Sequence, residues 1–260
     1  MPELPEVETY ARYFAKHALR QRIARVDVRD PRILGEIRPE AFARRLKGAA
    51  FTSVRRHGKH LFADAGKAWL HLHFGMTGDL AYYRDADKQP RFARVVFAFA
   101  GGAYLAYDDM RLFGLVDLID DPDAFIAAAK LGPDPLGLRL PQFRELLAKR
   151  KGAVKSLLMS QEIIAGLGNL YVDEILFQTG IHPRRPVNRI GDAEVRAMHT
   201  AMRRILRDTI ARHGREAELP PRYLIHHRVE GERCPRCGGT IKRSVVFGRT
   251  TYFCGGHQRA

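Results

Sequence analysis

Two sets of residues in this chain could do chemistry. The first opens it: Met1-Pro2-Glu3-Leu4-Pro5-Glu6-Val7-Glu8. A penultimate proline is small enough for removal of Met1 to be expected, which leaves a secondary amine beside the Glu3 carboxyl. Such an amine can attack a carbonyl or a sugar C1′ and form an iminium ion, an electron sink for breaking neighbouring bonds. The same octapeptide also suits a first helical turn, where proline is favoured, and taken alone it reads more simply that way. The second set closes the chain. Cys234-x2-Cys237 and Cys254-x2-His257 are two ligand pairs separated by sixteen residues. Two close pairs of soft donors around a short β-rich stretch suit one tetrahedral Zn²⁺, and four protein ligands leave no open position for water, so the zinc is structural.

The elements that must position these groups are legible as patterns. Pro5 to Arg20 reads as a helix with Val7, Tyr10, Ala11, Phe14 and Ala18 on one face and Glu6 and Glu8 near its positive end. Ala24, Val26 and Val28 then alternate with charged residues, and Leu70, Leu72 and Phe74 alternate with His71 and His73. Val95–Phe99 and Tyr104–Tyr107 flank Gly101-Gly102, a hairpin signal. Composition shifts at the Pro/Gly-rich stretch 131–137. Beyond it the period is helical, with Asp192 as the expected N-cap of a long helix that Gly214 ends. The expected class is α+β and multidomain: an N-terminal helix with an antiparallel sandwich over 1–130, a helical domain over 138–220 and a zinc module over 226–260.

Charge narrows the partner. Lys and Arg number 44 against 29 Asp and Glu, a net charge of 44 − 29 = +15 spread along the chain. A folded protein this basic is expected to meet a polyanion, and nucleic acid fits better than membrane, because no apolar run approaches the ~20 residues of a spanning helix. No signal peptide is visible, and the three cysteines gather between Cys234 and Cys254 as ligands, so a reducing, cytoplasmic setting is expected.

Five separated motifs together resemble the formamidopyrimidine-DNA glycosylase/endonuclease VIII family of DNA repair enzymes, closest to its first branch. They are Pro2 to Glu8, Arg56-His57-Gly58-Lys59-His60-Leu61, Asp109-Met110-Arg111-Leu112-Phe113-Gly114, Gln161-x4-Gly166-Leu167-Gly168-Asn169-Leu170-Tyr171-x2-Glu174, and the zinc finger. The resemblance spans essentially the whole chain. It implies a helix on a β-sandwich, a helix–two-turn–helix domain and a finger, with duplex DNA carrying a damaged base or abasic site in the cleft between lobes. It further implies a bacterial-type, nucleoid-associated monomer that removes oxidised or ring-opened bases through a proline Schiff base and cleaves the strand by β,δ-elimination in base excision repair.

Residue by residue, the resemblance makes Pro2 the nucleophile, Glu3 the general acid/base and Glu6 a second active-site carboxylate. Lys59 matches a lysine that contacts the target nucleotide, and Arg249 the finger arginine that grips phosphates around the lesion. Met76, Arg111 and Phe113 match residues inserted into the duplex where the base has left. Asn169, Arg150 and Lys155 match positions at or near the DNA backbone, and Arg94 stands where many relatives place a phosphate-binding histidine. His71, His73, His226 and His227 receive no role.

Two departures from the pattern stand out. His257 replaces the usual fourth cysteine at unchanged spacing, and Cys3His is an established zinc set. The stretch 215–232 is short, without the loop that covers a flipped purine in 8-oxoguanine specialists; Met76, Arg111 and Phe113 favour the oxidised-purine branch, while the missing loop argues against a preference for 8-oxoguanine and keeps ring-opened purines or oxidised pyrimidines open as substrates. A catalytically silent damaged-DNA-binding protein on the same scaffold is the alternative. The presence of Pro2, Glu3, Lys59 and Arg249 together argues against it, and a lone finger with no recognition helix argues against a transcription factor.

Overall fold

The computed structural model describes residues 2–148 and 150–259. Met1, whose removal is expected, lies outside the described residues. The chain divides into two compact units, the first ending at Ala129 and the second beginning at Lys130.

In the first unit, α1 (Leu4–Ala18) starts at Glu3, whose N–H donates to the Glu6 carboxylate at 2.8 Å. This bond satisfies one of the donors that a helix start leaves orphaned. The helix buries Leu4, Val7, Ala11, Phe14 and Ala18, a stripe at helical spacing. The strands that follow are β1 (Ile23–Val28), β2 (Ser53–His57), β3 (His60–Asp64), β4 (Trp69–His73), β5 (Gly78–Tyr83), β6 (Ala93–Phe99), β7 (Tyr104–Asp109) and β8 (Leu115–Ile119). A short helix α2 (Pro39–Leu46) lies between β1 and β2, and α3 (Pro122–Ala128) follows β8. The strands form two antiparallel four-stranded sheets, ordered β1-β6-β7-β5 and β2-β3-β4-β8. Phe14, Phe42, Phe51, Leu61, Leu70, Leu72, Phe97, Leu105 and Val116 belong to one continuous core. The hairpin expected around Gly101-Gly102 is present, with Phe97 opposite Leu105 and Ala98 opposite Tyr104.

The alternation in β4 hides a second buried face. Leu70 and Leu72 enter the core, yet His71 on the opposite side is only 1% exposed. Its ring packs on Phe62, on Phe125 of α3 and on His60, whose Nδ1 lies 2.9 Å from His71 Nε2. A strand covered on both faces loses the polar-out signature that alternation is read by.

The second unit holds α4 (Leu140–Ala148), α5 (Val154–Met159), α6 (Asn169–Thr179), α7 (Asp192–Ala211) and the hairpin β9 (Ile241–Val246)–β10 (Arg249–Cys254). The N-cap of α7 is Gly191, one residue before the expected Asp192; its N–H donates to Glu194 at 2.9 Å. Residues 219–228 are tied down. Leu219, Tyr223 and Leu224 are buried, the Ile225 N–H donates to Glu174 Oε2 at 2.9 Å, and Arg228 pairs with Asp173 at 2.8 Å. This stretch is a strap bound down on α6. Among the described residues, no helix is long and apolar enough to cross a membrane.

Candidate nucleic-acid interface and metal centre

The first unit gathers two groups of the residues singled out by sequence. Pro2 and Glu3 precede α1, and Glu3 is its N-cap. Glu3 is buried, Pro2 and Glu6 half-buried. One turn along α1, Glu8 Oε2 accepts from Arg56 Nε at 2.8 Å, and Arg56 Nη1 donates to the Gly58 carbonyl at 3.0 Å. Gly58-Lys59 is the two-residue turn between the paired His57 and His60. The Glu8–Arg56 pair, to which sequence reading gave no role, therefore ties the N-terminal helix to the turn that carries Lys59.

The second group is Met76, Arg111 and Phe113, which lie on two loops organised by Asp109. That carboxylate is fully buried: Oδ1 accepts from the Thr77 hydroxyl and from the Arg111 N–H at 3.1 Å, and Oδ2 accepts from the Gly114 N–H at 2.8 Å. The loops touch so closely that a Cβ on Gly75 would sit 2.3 Å from the Phe113 carbonyl carbon, and φ there is +52°. Only glycine tolerates both conditions. Met76 (41% exposed) and Phe113 (56%) stand out into solvent, and the Arg111 guanidinium lies over the Phe113 ring at 4.7 Å. Exposed apolar side chains on a rigid loop pair, capped by a cation, form a surface built to meet something. Arg94 is turned inward: Nε donates to the Asp109 carbonyl at 2.7 Å, Nη2 to the Met110 carbonyl at 3.4 Å, and Nη1 lies 3.5 Å from Asp30. It braces the arginine loop from behind.

Three histidines line the outer face of β3 and β4. Burial and the neighbouring histidines hold His60 down to about 2 and His71 to about 4, and burial with the nearby Lys59 charge lowers His73. They are neutral at pH 7, and this cluster went unread in the sequence because two-face burial is a tertiary fact.

In the second unit, the donor atoms of Cys234, Cys237, Cys254 and His257 all lie within 4.8 Å of one another. The distances fit a tetrahedral ion. Cys237 Sγ–Cys254 Sγ is 3.5 Å and Cys234 Sγ–His257 Nδ1 is 3.6 Å; zinc bond lengths imply about 3.8 and 3.6 Å. The N–H groups of Arg236, Gly239 and Gly256 point at the three sulfurs at 3.3–3.4 Å. His257 Nε2 lies 3.1 Å from the Phe177 carbonyl, which fixes a proton there and leaves the Nδ1 lone pair for the metal. Burial pushes the Cys254 thiol up to about 11, so a bound cation is what makes it a thiolate at neutral pH. The finger's core is small, drawn from Phe177, Leu224 and Ile241 beside the ligands, and zinc supplies the cohesion that such a core lacks.

The finger hairpin is clamped to α6. Asn169 Nδ2 donates to the Thr250 carbonyl at 2.9 Å, next to the exposed Arg249. Gln161 shapes the turn before α6, its amide donating to the Met159 and Leu167 carbonyls and accepting from the Gly166 N–H. Lys155 differs most from expectation. It has no exposed surface; Nζ lies 2.6 Å from both Asp173 Oδ1 and Thr251 Oγ1. Asp173 Oδ2 accepts from Arg228 at 2.8 Å and from the Tyr252 N–H at 3.2 Å. This buried network joins α5, α6, the strap and β10. Its keystone, Asp173, was missed because an acidic residue between Val172 and Glu174 carries no local sign of burial. Arg150 is exposed.

Known proteins match the chain from end to end. Residues 1–116 match the model of the formamidopyrimidine-DNA glycosylase N-terminal domain, 131–219 that of the H2TH domain of the same enzymes, and 231–255 that of a zinc finger found in FPG and IleRS. A formamidopyrimidine-DNA glycosylase of Streptococcus pneumoniae is 34% identical over 274 residues, covering 100% of this chain and 99% of its own. One from Moorella thermoacetica is 37% identical over 262 residues, covering 94% of each. Among solved structures, the Lactococcus lactis enzyme bound non-covalently to DNA containing an AP site superposes with a TM-score of 0.88 at 30% identity, covering 99% of this chain and 100% of that one. A MutM complex with DNA containing carbocyclic 8-oxo-G gives 0.89 at 30% identity, with full coverage of both chains.

Proposed function

The chain belongs to the formamidopyrimidine-DNA glycosylase family, and from that we propose that it is a bifunctional DNA glycosylase/AP lyase of base excision repair. The observation that carries the reading is the start of α1: Glu3, next to Pro2 in the chain, is a buried carboxylic residue at the helix N-cap, and its N–H is held by the Glu6 carboxylate at 2.8 Å. Binding alone has no use for that arrangement.

The proposed chemistry runs on this chain's own groups. With Met1 removed, the neutral Pro2 nitrogen attacks C1′ of an extruded nucleotide, and the base leaves with the bonding pair and takes up a proton. Glu3 delivers a proton to the ring oxygen as the C1′–O4′ bond breaks, and the nitrogen lone pair forms the iminium. The iminium makes the C2′ proton acidic; its removal expels the 3′ phosphate, and a second elimination expels the 5′ phosphate. Water then releases Pro2. Lys59, held by the Glu8–Arg56 tie, faces the target nucleotide and serves proton transfer, and Glu6 steadies Glu3. Arg249 and Asn169 hold phosphates. Met76 and Phe113 fill the vacated stack while Arg111 hydrogen-bonds the orphaned base. Zn²⁺ held by Cys234, Cys237, Cys254 and His257 supplies the finger's rigidity and no chemistry.

Lesion choice follows from the strap. The short 215–232 stretch carries no loop of the kind that covers a flipped purine, and abasic sites and ring-opened purines are expected to be handled at least as well as 8-oxoguanine. The test is borohydride trapping on an abasic duplex. A covalent adduct is expected, weakened in Pro2→Gly and absent when the N-terminus is extended; full trapping by a protein that keeps Met1 would sink the iminium. Arg111→Ala is expected to slow base excision more than cleavage at a preformed abasic site.

A further inference from the structure

β9 and β10 are joined by two residues only, since Val246 pairs with Arg249. Both loop residues are left-handed, Phe247 at φ +51° and Gly248 at +68°. A two-residue hairpin with positive φ at both positions is the turn that selects Asn, Asp or Gly at its first position. Phenylalanine is a poor occupant, because its Cβ crowds the backbone there. Phe247 is also 73% exposed, more than any other large apolar side chain among the described residues. A strained backbone and an aromatic ring in water are two costs at one position. An outlier of this kind points to a function outside the fold.

The surroundings say which kind. Val245, 60% exposed, adds a second apolar surface to the tip. Lys242, Arg243 and Arg249 are exposed on the two strands, and Arg184 Nη2 donates to the Val245 carbonyl at 2.9 Å. The hairpin behind the tip is fixed by Asn169 on Thr250 and by Lys155 on Thr251. The tip is therefore an apolar point, rigidly presented and ringed by cations. A partner that meets cations at its rim and an aromatic ring at its centre is a polyanion with apolar faces between its charges. Nucleic acid is that polyanion: phosphates flank deoxyribose and base faces, and aromatic side chains stack on bases with little regard to sequence.

We propose that Phe247 is a DNA-contacting residue that packs its ring against a deoxyribose or base face next to the phosphates held by Arg249. The inference rests on the DNA-repair reading above and adds to it an apolar contact from the finger, separate from the Met76, Arg111 and Phe113 loops.

The experiment compares wild type, Phe247→Asn, Phe247→Tyr and Arg249→Ala, each as zinc-loaded full chain, binding a fluorescent duplex with a tetrahydrofuran abasic analogue across a salt series. Phe247→Asn places a favoured residue in the turn, so its zinc content and melting temperature are expected to match or exceed wild type. Its affinity is expected to fall about tenfold at every salt concentration, because an apolar contact releases no counterions. Phe247→Tyr should restore binding. Arg249→Ala should instead flatten the dependence of log affinity on log salt by about 0.9. Equal affinity of Phe247→Asn and wild type overturns the proposal, as does a wild-type dimer that this substitution dissolves, which would show that the tip meets a second copy. A wild type that fails to bind the duplex at all sinks the DNA-repair reading itself, a result distinct from equal binding by both proteins.

Discussion

The two units solve the burial of polar groups in opposite ways. The first packs its buried histidines among aromatic rings on the outer face of a sheet and keeps them neutral: His60 and His71 both lie against Phe62 and Phe125. The Asp109 carboxylate there accepts from N–H and hydroxyl groups of the loops it shapes. The second buries full charges, Lys155 against Asp173 and Asp173 against Arg228, and adds a four-ligand metal centre. The difference follows from core size. A sandwich of two four-stranded sheets has apolar area enough to hold loops in place, whereas the finger end of the second unit, two strands and a short strap with a small cluster of their own, has little and needs directional bonds to α5 and α6.

Removing zinc should separate the units most. Structural zinc sites of this size contribute on the order of 10 kcal/mol. Chelation should abolish lesion-duplex binding and the melting transition of the second unit while the first keeps its own, as followed by calorimetry and metal content. His257→Ala should lose metal and His257→Cys retain it; fully active, metal-free protein would refute the centre.

The buried ion pair comes next. Lys155→Met strands Asp173 with one cation partner, and loss of one member of such a pair costs about 3–5 kcal/mol. Denaturant unfolding should show that loss, and Lys155→Met with Asp173→Leu should recover much of it. The salt slope of DNA affinity should be unchanged in Lys155→Met. A slope lower by about 0.9 with unaltered stability would return Lys155 to a direct phosphate contact.

Acid gives the smallest and most discriminating effect. In the first unit, His71 at about 4 and His60 at about 2 lie below the ~6.5 of an unfolded histidine. The unfolded chain therefore takes up protons first, and the stability present above pH 6.5 is lost as pH falls through that value toward 4. In the second unit, burial raises Glu174 to about 7, so its contribution is full below the unfolded value of ~4.5 and is lost as pH rises through 7. Between pH 7 and 4.5 the first unit should lose on the order of 1–3 kcal/mol while the second gains a comparable amount. His71→Phe should lessen the acid sensitivity of the first, and parallel shifts of both transitions would break the comparison.

What could be read beforehand follows the range of the interactions. The α1 stripe, the Gly101-Gly102 hairpin and the spacing of Cys234, Cys237, Cys254 and His257 are set by neighbours a few residues apart, and all three appear in the structure. The Glu8–Arg56 tie, the Thr77–Asp109 bond and the Lys155–Asp173–Thr251 network join residues 18 to 96 positions apart, and nothing in their local pattern announced them.

By itself, the sequence determined element types, the metal ligands and the family, because periodicity, chelate spacing and short motifs are local properties of a chain. Only the tertiary structure decided exposure. It turned Arg94 inward to brace a loop, sealed Lys155 in a buried ion pair and covered His71 with a helix. It also left Phe247 standing in water at a strained turn. A residue's surroundings are built from parts of the chain that its own neighbourhood does not encode.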